Sequence, residues 1–481
     1  MRFCIACFIV LFFVVTFLSA DNADNNNAAS SKAPVEKPPA TKKEQPVRAK
    51  VPLPPLVEKY LHNGQLKKGE QELLAHLKKH PQDDEARFGL GVLQFFRSIE
   101  GVTQSLHRYG FMSDLNNFYR FTSQESTPKD LGIFADWPQF TKSPQTIAYS
   151  DMRKILEQFI IDVKKAEQTL AQVKDKNVKL RLRLSKIRFD IDGNGKAIER
   201  ESFFGLNAAS NAANSPEEKK DKKKEEKKAE DVKEIAITFD YADVLWLRGY
   251  THVFMGLNEF LLSLDWKDSF ERTAHLAFPK VKSPYDFLRI DSVEILKKIA
   301  KEAEKNKDNL LPYLTPSSYY ADSLAFLQLA KYDVVEPKRL KKSLFHCEQV
   351  IKLSRLTWKA IEAETDDMEE WIPNPQQTGV LQVKVTPQII AGWKTFLNET
   401  EAILSGKKLV SHWRVTDGRA INVRKFFTKS KQFAPVLLIQ GSDVALFLEK
   451  GETTKLKFWT ELLQKFGSEN GGFFGFALWF N

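Results

Sequence analysis

Residues 240–266 read DYADVLWLRGYTHVFMGLNEFLLSLDW, a stretch whose length and almost wholly apolar composition predict one long helix. A helix that is apolar around most of its circumference is buried inside a protein, because it has no polar face to offer to water. We therefore expect this segment to form the central core helix of a mainly α fold.

Three polar side chains interrupt this core helix: Arg248, His252 and Glu259. Their spacings of four and seven residues place all three on one side of the helix. Buried charges must be paired, so the three residues form either a structural ion network or the lining of an enzyme pocket. His275, in ERTAHLAF, is a further candidate partner. Both interpretations stay open at this point.

Boundary signals and apolar spacing predict further helices. One helix begins at Thr386 and Pro387 and ends at Gly406, because Pro at a first turn and Gly after a last turn are typical helix boundaries. Apolar residues at helical spacing predict another helix over residues 152–163. A third begins at residue 337 and runs toward residue 364.

The C-terminal part of the chain carries strand signals instead. Residues 409–427, LVSHWRVTDGRAINVRKFF, predict a strand pair around Asp417 and Gly418. PVLLIQG at 435–441 and FFGFALWFN at 473–481 are short apolar runs, which predict buried strands. We expect a small C-terminal β element, including a hairpin, to complete a helical second domain.

Residues 64–91, GQLKKGEQELLAHLKKHPQDDEARFGLG, carry small residues at Gly69 and Ala86 and a proline, Pro81, after a predicted helix. Over roughly one and a half repeats this pattern resembles the tetratricopeptide repeat family. It departs from the family pattern at His76 and Arg87. The resemblance implies antiparallel helical hairpins, and with them a groove for a protein or peptide partner.

Residues 190–201, DIDGNGKAIERE, gather oxygen-bearing side chains at alternate positions of a short loop. A calcium ion takes six to eight oxygen ligands, so alternate side chains of a loop must converge on it, and Gly195 permits the sharp turn that this needs. The predicted ligands are Asp190, Asp192, Asn194, the carbonyl of Lys196 and Glu201. Together with the flanking Phe189, these twelve residues resemble the calcium-binding loop of the EF-hand family.

Two positions depart from the EF-hand pattern: Ala197 replaces a branched apolar residue, and Ile198 leaves its ligand place to water. Residues 178–189, VKLRLRLSKIRF, alternate every second residue as much as they follow helical spacing, so the element that enters the loop need not be the usual helix. The chain has no second loop of this pattern, and we expect an affinity of about 10⁻⁴ to 10⁻³ M. The alternative is an Asx-rich turn that binds no ion.

Residues 1–20, MRFCIACFIVLFFVVTFLSA, place an apolar run after one basic residue and end in small residues, as secretory signal peptides do. The alternative is an uncleaved anchor, and in either case the folded part lies outside the cytoplasm, secreted or in the periplasm. Residues 21–55 are polar and rich in Pro, Asn and Lys, which predicts a disordered linker. Removal of the signal peptide takes two of the three cysteines, so only Cys347 remains and no internal disulfide is expected.

A second break at residues 207–234 is a charged low-complexity insertion, which separates a domain at 56–206 from one at 235–481. The chain carries a net charge of +10, but its densest basic run holds eight lysines and eight acids between residues 217 and 234. The basic residues form no stripe with stacking aromatics, which argues against a nucleic-acid partner. We expect no membrane span after signal cleavage.

Residues 364–379, ETDDMEEWIPNPQQTG, offer Asp366, Asp367 and Trp371 to a ligand, or else are only solvated. No nucleophile elbow, phosphate loop, HExxH or paired-cysteine motif occurs in the chain. RFDIDGNG, LWLRGY, WIPNPQQTGV and the apolar tail are similar to a family of exported bacterial proteins, a resemblance that implies no particular activity. The sequence thus predicts an exported calcium-binding scaffold or binding module, with an extracytoplasmic enzyme using the core helix as the alternative.

Overall fold

The structure, a computed structural model, describes residues 54–111, 141, 143–197, 236–288, 301, 317–467 and 472–481. The predicted signal peptide, nearly all of the linker at 21–55, the insertion at 207–234 and Glu201 lie outside these residues. The described part holds thirteen α-helices and seven short strands, so the prediction of a mainly α fold with a small β element is confirmed.

The helices are α1 (Glu58–His62), α2 (Leu66–Lys79), α3 (Asp84–Arg108), α4 (Tyr149–Leu170), α5 (Tyr241–Ser263), α6 (Lys267–Thr273), α7 (Ser317–Leu329), α8 (Pro337–Ile361), α9 (Pro387–Leu404), α10 (Val423–Lys429), α11 (Pro435–Gln440), α12 (Leu456–Phe466) and α13 (Gly472–Phe480). The strands are β1 (Leu180–Arg183), β2 (Ala236–Phe239), β3 (Leu264–Asp265), β4 (Tyr332–Val334), β5 (Arg419–Ile421), β6 (Gln432–Phe433) and β7 (Leu448–Lys450).

Five long helices, α2, α3, α4, α5 and α8, pack side by side in that order. In each neighbouring pair, residues late in one helix contact residues early in the next, so the helices run antiparallel. The contacts are Glu70–Gln94 and His76–Asp83 for α2 and α3, and Gln94–Thr169 and Gly101–Asp162 for α3 and α4. They are Glu167–Arg248 and Arg153–Leu262 for α4 and α5, and His252–His346 and Glu259–Arg339 for α5 and α8.

Helix α5 is the central core helix that the sequence predicts. Its first turn is closed by a capping box, in which the Asp240 carboxylate accepts the Asp243 amide at 3.4 Å and the Asp243 carboxylate accepts the Asp240 amide at 3.0 Å. The Ala242 amide also donates to the Asp240 carboxylate, at 2.7 Å. Val244 and Leu247 join the apolar core built by α1 to α4, whereas Phe260 packs in a separate core with α8 and α10. The helix therefore contributes to one core built mainly from earlier residues of the chain and to another built from later residues.

The other helix predictions also agree with the structure. Helices α4 and α8 cover the predicted segments. Helix α9 begins at Pro387, and the Thr386 hydroxyl caps it by accepting the Ile389 amide at 3.3 Å. Gly69 of α2 lies in a close contact, since a Cβ on it would lie 2.6 Å from Leu93 of α3.

The strands form three small sheets, with antiparallel β1–β2, β3–β4–β6 and β5–β7 pairings. The sequence predicts a strand pair around Asp417 and Gly418. In the structure, these two segments share one antiparallel bridge, between Val410 and Ile421. The main partner of β5 is β7, with Ala420 opposite Glu449.

Two strand predictions are wrong. PVLLIQG folds as helix α11, because Pro435 suits a first helical turn and Gly441, with φ of 109°, suits the residue after the last one. The tail FFGFALWFN folds as helix α13, whose Phe473, Phe476 and Phe480 are buried. Short apolar runs carry no polar alternation, so periodicity cannot separate a buried strand from a buried helix.

Among the residues that the structure describes, no helix has both the length and the apolar content needed to cross a membrane.

Candidate metal centre

The segment before the predicted calcium loop is a strand and not a helix. Strand β1 alternates, with Leu180 and Leu182 buried and the two arginines partly exposed. A 3₁₀ turn, Leu184–Lys186, follows β1 and leads into the loop. Glu58 anchors the strand by accepting hydrogen bonds from the Arg183 guanidinium at 2.9 Å. The alternation in the sequence therefore signalled this departure from the EF-hand pattern correctly.

Within the loop, three predicted ligand side chains each accept a backbone amide from a residue further along. Asp190 Oδ2 accepts the Gly195 amide at 2.9 Å, and Asp192 Oδ1 accepts the Asn194 amide at 3.0 Å. Asn194 Oδ1 accepts the Lys196 amide at 2.8 Å. The turn needs two left-handed residues, which are Gly193 with φ of 74° and Gly195 with φ of 82°. These bonds curl the loop around its own side-chain oxygens.

One oxygen of the loop has no partner. Asp190 Oδ1 is shielded from solvent, and no hydrogen bond to it occurs in the part of the chain that the structure describes. A buried carboxylate oxygen without a partner is costly, because it loses its hydration and receives nothing in return. A cation bound at this oxygen would remove that cost. Glu201, the predicted closing ligand, lies outside the described residues.

Helix α3 holds the loop from behind. Glu100 Oε1 accepts the backbone amide of Asp190 at 2.9 Å, and Gln104 Nε2 donates to the backbone carbonyl of Asp190 at 2.6 Å. These two side chains lie one helical turn apart, so they face the same way. Both peptide groups of the first predicted ligand are thus fixed by a helix that lies 86 to 90 residues earlier in the chain.

The same two residues also line a polar cleft of about 140 Å³ between α3 and α4. The full lining comprises Glu70, Gln94, Arg97, Ser98, Glu100, Gly101, Gln104, Asp162 and Lys165. Glu70 is buried, and it pairs with Arg97 and Lys165 and accepts the Gln94 amide at 3.0 Å. Of this lining only Glu70 lies within residues 64–91, and the cleft presents both signs of charge.

The three polar residues of the core helix contact side chains of α4 and α8, and Arg248 and His252 share Glu167, whose Oε1 lies 3.9 Å from His252 Nε2. Arg248 donates to Glu167 at 2.8 and 3.0 Å. Glu259 accepts hydrogen bonds from Arg339 at 3.1 Å and from Lys342 at 3.4 Å. His275 is buried in the 3₁₀ turn Ala274–Leu276 that follows α6.

The third residue, His252, forms a buried pair with His346 of α8, with 2.8 Å between their Nδ1 atoms. Burial lowers the pKa of both histidines to about 4, and the positive charge of Arg248 adds to the effect at His252. Both rings are therefore neutral at physiological pH, and one Nδ1 donates while the other accepts. The sequence placed His346 on a predicted helix but did not pair it with His252.

A second acidic cluster joins residues that the sequence analysis kept apart. Asp240, Glu364 and Glu370 each place one carboxylate oxygen within 4.8 Å of the others. Burial, and then the nearby Asp240, raise the pKa of Glu364 to about 8, so this carboxyl group keeps its proton at neutral pH. The ammonium of Lys179 lies 3.5 Å from Asp240 and 2.9 Å from Asp366. The proton on Glu364 and the ammonium of Lys179 thus offset part of the negative charge of this cluster.

The residues that the sequence offers to a ligand in this segment have partners within the chain. Asp366 pairs with Lys179, and Asp367 accepts the Thr378 amide at 2.8 Å. The half-buried Trp371 ring lies 5.6 Å from that of Trp246. The acidic run is visible in the sequence. Asp240 lies more than a hundred residues earlier, in a local pattern typical of a helix cap, so the sequence does not connect it with that run.

Comparison with known protein families, with curated proteins and with solved structures finds no match to this chain.

Proposed function

We propose that this protein is an exported, calcium-binding helical scaffold or binding module, in which calcium at residues 190–201 has a structural role. One observation carries the calcium site: Asp190 Oδ1 is buried without a hydrogen-bond partner among the described residues. The amide bonds that curl the loop, and the ligand spacing up to Glu201, are consistent with an ion at that oxygen.

The cleft between α3 and α4 supports a binding role more than a catalytic one. It lies between α4 and α3, whose first two turns belong to the segment that resembles a tetratricopeptide repeat, and the resemblance implies a protein or peptide partner. Arg248, His252 and Glu259, which the enzyme alternative needs, are each engaged by a side chain of α4 or α8. These pairings favour a structural ion network on the core helix.

The proposed localisation rests on residues 1–20 alone, whose order of basic, apolar and small residues favours export to the periplasm or the medium. Calcium does not pulse there as it does in the cytosol of signalling cells, so steady occupancy and a stabilising role are expected. The ion would then join β1 and the loop to α3, and so brace the first domain.

The proposal is tested by the melting temperature of the purified protein with calcium and with a chelator. For an affinity of about 10⁻⁴ M, roughly 10 mM calcium adds about 2.7 kcal/mol to the stability of the bound state. We expect the melting temperature to rise by several degrees. Glu201→Ala and Asp192→Asn should remove that rise, because each deletes a ligand charge.

Asp175→Asn is the matched control for Asp192→Asn. Both aspartates are exposed and accept the backbone amide two residues on, at 2.9 Å for Asp175 and 3.0 Å for Asp192. The control should keep the full calcium-dependent rise, because Asp175 lies outside the loop. Equal melting curves of the unmodified protein with calcium and with chelator would contradict the proposal.

A further inference from the structure

The calcium loop has no sister loop in the chain, yet it is not unsupported. Helix α3 lies against it, and Glu100 and Gln104 bind the amide and the carbonyl of Asp190. Gln104 also lies under the turn, since a Cβ on Gly193 would be 3.8 Å from its amide carbon. In an EF-hand protein, one side of the loop pairs with a second loop. In this protein, helix α3 offers the loop a different support.

The two bonds from α3 fix both peptide groups of Asp190, and the Gly195 amide, which donates to Asp190 Oδ2 at 2.9 Å, orients the side chain. The bond from the Asp190 amide to a carboxylate is charge-assisted, and Glu100 is only 7% exposed, so water competes little for it. The Gln104 bond sets the peptide plane on the other side of the same residue. Asp190 Oδ1, the buried oxygen without a partner in the described part of the chain, therefore has a defined position before any ion arrives.

We propose that Glu100 and Gln104 are positioning residues of the calcium site, which hold Asp190 in the geometry that the ion requires. The inference rests on the proposed calcium site and extends it to two residues that no loop motif contains. Groups that orient metal ligands from outside the coordination sphere commonly change metal affinity 10- to 100-fold when they are removed.

The test is calorimetric titration of the purified variants with calcium alone. Glu100→Ala and Gln104→Ala should each raise the dissociation constant by about 10-fold or more, because Asp190 loses one of its anchors. Glu100→Gln keeps an oxygen that can accept the Asp190 amide, so it should bind calcium more tightly than Glu100→Ala. Gln104→Glu cannot donate to the Asp190 carbonyl, so it should bind as weakly as Gln104→Ala.

Ser105→Ala is the control on the same helix, because the Ser105 hydroxyl donates only to the Gly101 carbonyl within α3. A merely structural effect lowers the melting temperature in chelator and leaves the calcium-dependent rise unchanged, which is the expectation for Ser105→Ala. In Glu100→Ala and Gln104→Ala the rise itself should shrink at subsaturating calcium.

Two results would overturn the inference, and they are distinct. If the unmodified protein binds calcium and both alanine variants bind it with the same affinity, the positioning role is wrong while the calcium site stands. If the unmodified protein binds no calcium, the proposed function is wrong as well. Circular dichroism of each variant, with Glu100→Gln as the mildest change, shows whether a loss of affinity comes from unfolding.

Discussion

At the scale of single residues, the buried pair His252 and His346 links stability to pH. Burial holds the pKa of each ring at about 4 in the folded protein, whereas an exposed histidine titrates near 6.5. At a pH between these two pKa values, the unfolded chain binds protons at these histidines and the folded chain does not. Stability is therefore complete above about pH 6.5 and falls as the pH drops toward about 4.

We expect unfolding in urea at pH 7.5 and at pH 5.0 to reveal this loss. Complete titration of one such histidine costs roughly 3 kcal/mol, and only part of that appears at pH 5.0. His252→Gln removes one titrating ring and should flatten the dependence. His80→Gln, which changes an exposed histidine, should leave it as it is, and an equal slope in all three proteins would contradict the assignment.

At the scale of helices and strands, the close packing of α3 on α4 depends on glycine. A Cβ on Gly91 would lie 2.5 Å from the side chain of Leu170, which is itself fully buried. Gly101, on the same helix, has no such neighbour, since the closest atom to its Cβ would be 4.0 Å away on Asp162. The same substitution should therefore have opposite effects at the two positions.

Gly91→Ala should destabilise the protein by about 1 to 3 kcal/mol, because the added methyl group forces the helices apart. Gly101→Ala should be neutral or stabilising by up to about 1 kcal/mol, because alanine is the better helix former. Chemical denaturation of both variants measures the two changes. A loss of equal size at both positions would show that helix crossing is not the cause.

At the scale of the whole molecule, helix α13 packs against both the core helix α5 and helix α8 and links them. Trp246 of α5 donates from its indole to the Trp479 carbonyl at 2.7 Å, and Asn481 donates to the Trp246 carbonyl at 2.9 Å. The fully buried Phe480 packs edge-on against Trp358, with 4.5 Å between ring centroids. Helix α13 thereby contacts both α5 and α8, although Trp479 lies 233 residues after Trp246 in the chain.

Phe480→Ala should destabilise the protein by about 3 to 5 kcal/mol, because it leaves a cavity among aromatic side chains. Leu478→Ala, on the same helix but at a side chain 56% exposed, should change stability by no more than about 0.5 kcal/mol. The midpoints of thermal and chemical unfolding test both. Similar midpoints for the two variants would contradict the role assigned to the buried face of α13.

Local signals in the sequence predicted much of the fold. The apolar circumference of residues 240–266 predicted the core helix, and the Thr386 and Pro387 pair predicted the start of α9. The alternation before the loop predicted that its entering element need not be a helix. The ligand spacing from Asp190 predicted a calcium site, which stays a prediction. Each of these features depends on neighbours within one or two turns, so sequence order alone contains the information.

The sequence by itself thus determined the mainly α class and the core helix, and it set the order of the residues predicted to be loop ligands. Only the tertiary structure decided that α13 is a helix, that His252 meets His346, and that Glu100 and Gln104 hold Asp190. The physical reason is the separation along the chain over which each kind of interaction acts. Hydrophobic periodicity and capping act between residues close in the chain, whereas these contacts join segments that become neighbours only when the helices pack.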